Sequence, residues 1–190
     1  MSAPVTILGT DVMGTSLGLL LAGVNWPLAG LWDPDHNLAL TRSLLIGCSA
    51  FARLEEPVSK ASLVLACLED DAWATWAPVA EAALGPDALL VRVGGAGSCA
   101  LLPIAQIEAL EQAGRLRRAF FGLVGSDPDC ARLAALVEAL GGQPVRLEAG
   151  SHLAIHDFRQ GMSSLARAAQ ERLGRSDLLA PLAHDLLVGQ

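Results

Sequence analysis

The opening stretch of the chain constrains the fold more than any other. Val5-Thr6-Ile7-Leu8 is a short apolar run ended by Gly9, and Val12 to Ala22 follows with apolar residues at helical spacing. A continuous apolar run of this length is the mark of a strand covered on both faces. A glycine at its end allows the tight turn that sends the chain back along the sheet as a helix. The segment predicts strand, turn and helix, the opening of a parallel sheet.

The same grammar continues downstream. Strands are expected at Leu28 to Trp32, Cys48 to Phe51, Ser62 to Leu68, Ala88 to Val93, Ala119 to Val124 and Pro144 to Leu147. Helices are expected at His36 to Leu45, Asp71 to Leu84, Leu101 to Gln112 and Asp129 to Leu140. Alternation of this kind predicts an α/β fold, a doubly wound and mostly parallel sheet covered on both faces. Residues 1–150 make up this domain. Residues 151–190 read as a short helical C-terminal tail that packs on the sheet or on a second chain.

Composition excludes several functions. Thirteen basic residues face twenty acidic ones, for a net charge of −7, and Lys60 is the only lysine. A nucleic-acid binder needs a basic footprint, and none is visible. The hydrophobic fraction is 52% and the mean hydropathy +0.43, yet no apolar run reaches the roughly 20 residues of a membrane span. The N-terminus lacks the basic start of a secretion signal, so a cytoplasmic location is expected. Cys48, Cys67, Cys99 and Cys130 are scattered without a CxxC pair and read as small buried hydrophobes.

The turn itself carries chemistry. Gly9-Thr10-Asp11-Val12-Met13-Gly14 sits where a dinucleotide-binding loop would carry G-x-G-x-x-G. Gly9 supplies the turn and Gly14 the close packing of helix on strand. Asp11 stands at the second glycine position, where a diphosphate approaches the backbone. A carboxylate there repels the diphosphate, by about 1 kcal/mol in water and about 4 at an effective dielectric of 20. It can also cap the helix with its own oxygen, so Asp11 is expected to occupy the anion site itself. Asp33 closes the next strand about 20 residues on, where an acid accepts hydrogen bonds from the adenosine ribose and favours NAD over NADP. Asp33-Pro34-Asp35 is equally a good turn sequence by itself. Asp11, Asp33, Asp35, Glu69, Asp70 and Asp71 crowd the expected carboxyl edge of the sheet. No Lys or Arg lies in the first, second or fourth of the expected strand-end loops. Such an edge suits a cation or a basic partner better than a dianion, although several of these acids also make ordinary helix starts.

At these residues the chain resembles the Rossmann-like, 6-phosphogluconate-dehydrogenase-like oxidoreductases, above all prephenate dehydrogenases and a related bacterial group. DVMGTSLGLLLAG, ASLVLACLEDDA, LLVRVGGAGSCALLPI and FFGLVGSDPDCARLAALVEALGGQPVRL with HLAIHDF carry the likeness, over about residues 4 to 165. The resemblance implies NAD or NADP held by Gly9, Thr10, Asp11, Val12, Met13, Gly14, Asp33, Leu68 and Gly94, with a small-molecule substrate. The pattern departs at Asp11, at Gly94 where relatives carry serine, and between Ile104 and Phe121, where their His-Pro segment is missing. It departs again in the helical tail of about forty residues, much shorter than the relatives' substrate domain.

Other chemistry is sparse. Gly94 to Ser98 forms a strand-end loop that would lie near a nicotinamide, or else a simple turn into the next helix, and Ser98 could hydrogen-bond a ligand. His152 and His156 share one face of a helix, but no third metal ligand is named, so no metal is expected. His156 instead stands where relatives place a histidine near substrate, which makes His156 and Ser98 the catalytic candidates. Met162, Leu165, Ala169 and Leu173 form an apolar stripe suited to a homodimer through the C-terminal helices, or to intrachain packing. Two functions follow as expectations: a nicotinamide-dependent oxidoreductase, or a relative that has lost tight dinucleotide binding and serves as a dimeric module.

Overall fold

A computed structural model describes residues 3–105 and 107–148 of the chain. The sheet has seven strands in the order β2-β1-β3-β4-β5-β6-β7. They are β1 (Val5–Leu8), β2 (Leu28–Trp32), β3 (Leu63–Ala66), β4 (Leu89–Val93), β5 (Ala100–Ile104), β6 (Phe120–Val124) and β7 (Gln143–Arg146). All neighbours pair in parallel except β5 with β6. The helices are α1 (Val12–Gly23), α2 (His36–Ile46), the single turn α3 (Glu55–Val58), α4 (Asp70–Ala83) and α5 (Asp127–Ala139), with a 3-10 helix over Leu110–Arg118. This is the doubly wound, mostly parallel α/β sheet that the sequence predicts. None of the described helices is long and apolar enough to cross a membrane.

Alternation along the strands divides the core between two faces. Val5, Ile7, Leu65, Val91 and Phe121 meet Leu17 and Leu21 of α1 and Leu133 and Leu136 of α5. Leu8, Val64 and Ala66 point to the other face, where Val58 of α3 and Ala80 of α4 cover them. The four cysteines are free; Cys67, Cys99 and Cys130 are buried. Burial pushes the Cys48 thiol up to about 11 and the Cys99 thiol to about 12, so neither is a nucleophile at neutral pH.

Two expected elements differ. The helix expected over Leu101 to Gln112 is strand β5 followed by the 3-10 helix. Ala100 to Ile104 is a run of five, too short for periodicity to separate strand from helix. Its antiparallel pairing with all five residues of β6 decides in favour of strand, and Pro103 would interrupt a helix interior. The strand expected at Cys48 to Phe51 shrinks to one parallel bridge, Leu31 with Ala50. It lies on the outer edge of the sheet, where pairing is available on one side only.

Parallel neighbours normally need a crossover about as long as a helix, yet only Gly94 to Cys99 joins β4 to β5. The short link suffices because these strands pair at just two positions, Arg92 with Ala100 and Val93 with Leu101. The loop has only to double back, and Gly94 does so with a left-handed φ of +78°.

Candidate functional site

The strand order reverses direction at β1, with β2 on one side and β3 on the other. In open parallel sheets ligands bind at the carboxyl ends of the strands beside such a switch point. The Gly9–Gly14 turn lies there. Gly9 has φ +85°, and a Cβ on it would collide with the Cys67 carbonyl oxygen at the end of β3 and touch the Leu68 side chain. A Cβ on Gly14 would collide with the Gly9 carbonyl oxygen. Neither position admits a side chain. The requirement is geometric: helix α1 starts against the backbone of the turn that feeds it.

Thr10, fully buried between the two glycines, locks the turn to its surroundings. Its N–H and hydroxyl both donate to Asp33 Oδ2, at 2.6 and 2.9 Å, and its carbonyl accepts from the Thr15 hydroxyl at 2.9 Å. Asp33 Oδ1 accepts from the Asp35 N–H at 2.9 Å. Three of the roughly four acceptor sites of the Asp33 carboxylate are thus engaged, and one is left for a ligand hydroxyl. Asp35 caps α2, accepting from the N–H groups of Asn37 and Leu38. The sequence suggested for Asp33 either a ligand acid or a turn residue; the turn is formed, and Asp33 also ties the tip of β2 to the glycine loop.

Asp11 is the N-cap of α1, and its Oδ1 accepts the Gly14 N–H at 2.8 Å. Loss of hydration around the carboxyl raises its pKa; Gly14 opposes the rise, and the charges of Glu69 and Asp33 add to it. Val12 and Met13, on the first turn of α1, are partly exposed. The glycines of the turn are thus set by the packing of α1 on the chain that feeds it, and the Asp11 carboxylate takes the Gly14 N–H at the helix start.

The β4 loop brings the remaining candidates to the sheet's carboxyl end. Ser98 is exposed, and Gly94 faces open space with no neighbour within 4 Å of a Cβ placed there. Beneath the loop lies a residue that the sequence reading missed. Arg92 of β4 is 4% exposed. Its Nη2 donates to Asp70 Oδ1 at 2.5 Å, and its guanidinium lies 4.7 Å from the Trp73 ring centre. The acidic edge therefore holds a buried cation within a strand, although the loop residues alone suggest none. Its signal was an arginine in the run Leu89-Leu90-Val91-Arg92-Val93, on the face shared with Leu90. Trp76, three residues beyond Trp73, packs edge-on against Trp32 at 4.8 Å, so both α4 tryptophans serve intrachain contacts.

Gly9, Thr10, Asp11, Val12, Met13, Gly14, Asp33 and Leu68 gather around one turn, and Gly94 and Ser98 share the β4 loop. His156, with His152 and the rest of the tail, lies outside the described residues. A cavity of about 510 Å³ between α3 and the second half of α4, lined by Arg53, Glu55, Ser59, Val79 and Ala83 among others, includes none of the candidates.

Scans against protein-family models and curated protein sequences find no match. Solved structures do match. A Bacteroides fragilis protein solved as a candidate NADP oxidoreductase has a TM-score of 0.74 at 18% identity, over 95% of this chain and 77% of that one. Synechocystis arogenate dehydrogenase gives 0.70 at 16% identity, over 96% and 74% of the two chains. Aquifex aeolicus prephenate dehydrogenase gives 0.70 at 16%, over 89% and 70%. The chain therefore shares the Rossmann-like α/β fold of these structures.

Proposed function

We propose that this chain is an NAD(P)-dependent oxidoreductase acting on a small molecule, with the dinucleotide lying across the tips of β1, β2 and β4. The observation that carries this reading is the Gly9–Gly14 turn. Two glycines that admit no side chain join an interior strand to α1 at the switch point of the sheet. Structures of the same fold from NAD(P)-linked enzymes support the cofactor class.

In this reading Gly9, Thr10, Val12, Met13 and Gly14 receive the diphosphate and Leu68 flanks it. Asp33 offers its remaining acceptor site to the adenosine ribose, which favours NAD. Gly94 and Ser98 lie near the nicotinamide, where the bound cofactor would supply hydride transfer. His156 is the acid–base candidate, and a homodimer through residues 151–190 in the cytoplasm completes the picture. Asp11 must leave the Gly14 N–H, or take up a proton, as the diphosphate arrives.

Calorimetric titration with NADH and NADPH tests this on the wild type and on Asp11→Gly. The expected result is NADH binding in the wild type, weaker NADPH binding, and NADH affinity raised roughly tenfold or more by the substitution. Absence of binding to either protein would sink the reading. Binding confined to Asp11→Gly would mark a scaffold that has lost its cofactor.

A further inference from the structure

Arg92 is poorly accommodated for a buried cation. Removing a guanidinium from water is tolerated when its donors are matched by acceptors. Among the described residues it has one hydrogen-bond partner, Asp70, reached through Nη2 alone. Its Nε is buried and has no acceptor. Nε and Nη2 form one edge of the guanidinium fork, the edge that takes a carboxylate or phosphate through two parallel bonds. Asp70 fills half of that edge.

Two groups close the edge, Asp70 and Gly95. The Asp70 side chain is 96% exposed, so it can turn into water at little cost. Over Nε lies Gly95, where a Cβ would come within 2.5 Å of that atom. Backbone bonds hold the loop at its two ends, from the Gly94 N–H to the Leu101 carbonyl and from the Arg92 N–H to the Cys99 carbonyl, and Gly95 and Gly97 lie between them. The guanidinium also lies over the Trp73 ring, 4.7 Å from its centre. This cation therefore has a half-filled fork and an exposed, displaceable counter-ion.

We propose that Arg92 is the anchor of a binding site for a small oxyanion, a carboxylate or a phosphate, which displaces Asp70 and pairs with Nε and Nη2 beneath the Gly94–Gly97 loop. The site lies on the α4 face of the sheet and does not depend on the dinucleotide reading. It is tested in the absence of nucleotide.

The full chain is titrated with malonate, with inorganic phosphate and with sodium chloride at matched ionic strength, followed by thermal midpoint and tryptophan fluorescence. Saturable stabilisation by malonate or phosphate beyond chloride is expected. Asp70→Asn should tighten it about fivefold, the scale of a partly exposed ion pair that no longer competes, and Arg92→Gln should abolish it. A preference for malonate identifies a carboxylate ligand, and a preference for phosphate a phosphoryl one. The proposal is overturned if neither anion exceeds chloride in the wild type and in Asp70→Asn, or if Arg92→Gln still binds. Should Arg92→Gln fail to fold, the comparison of Asp70→Asn with the wild type decides: unchanged affinity overturns the site.

Discussion

The loops that leave β1 and β4 are both rich in glycine, yet they use it differently. In the β1 loop, Gly9 and Gly14 are pressed against backbone carbonyl oxygens, and Thr10 is bonded on every polar group to Asp33 or Thr15. In the β4 loop, Gly94 faces open space, and the glycines allow a short return into β5. One loop is fitted against backbone; the other is open at Gly94 and packs at Gly95 on the Arg92 side chain. Charge divides them too: a carboxylate caps the helix at the first, and a cation lies buried beneath the second. A rigid frame with an acid in its mouth must deform locally to admit an anion. Over the half-satisfied arginine, an anion has to displace an exposed carboxylate and the backbone at Gly95, not a side chain bonded on every polar group.

The comparison can be broken by substitution, beginning with the largest effect. Gly14→Ala should destabilise the fold by roughly 3 kcal/mol, because the added carbon meets a backbone oxygen that cannot yield without moving β1. Urea denaturation measures it; a loss comparable to that at Gly94 would show that the β1 turn is also loose. Gly94→Ala should cost only about 1 kcal/mol, the penalty of a left-handed φ alone. A larger loss would mean that the space around Gly94 is filled in solution.

Asp11→Asn should produce the smallest change, with opposite sign. Asparagine keeps the cap on Gly14 while removing a charge set among Glu69 and Asp33. The carboxyl pKa is raised in the folded chain, so the folded state holds the proton to higher pH than the unfolded one. Ionisation then costs the folded state more, and stability falls as pH rises through that window. The variant should gain up to about 0.5 kcal/mol at pH 7, and the gain should fade as the pH drops below the ordinary carboxylate value of 3.8. Thermal midpoints across pH check both the sign and the window. A gain that persists at low pH would remove charge as its cause.

The strand runs at Val5, Leu28, Leu63, Leu89 and Phe120 were legible because burial on both faces makes them almost wholly apolar, Thr6 and Arg92 being the polar residues within them. The β1 turn was legible because a collision with backbone excludes every side chain, and that requirement is written directly as glycine. The strand at Ala100 to Ile104 was not, since five apolar residues fit either periodicity until β6 lies beside them. The edge site of Cys48 to Phe51 likewise depended on how much of a neighbour was available for pairing.

The sequence by itself determined the α/β class, the glycine turn and the acids around it, because local sterics and apolar periodicity act within a few residues of chain. Only the tertiary structure decided that Thr10 bonds to Asp33, that Asp11 takes the Gly14 N–H, and that Arg92 of β4 meets Asp70 and Trp73 of α4. The Thr10–Asp33 and Arg92 contacts join residues about twenty positions apart in the chain, and Asp11, though near Gly14, needed the cap geometry to be seen. The strength of each depends on burial, which the folded sheet and its covering helices alone create.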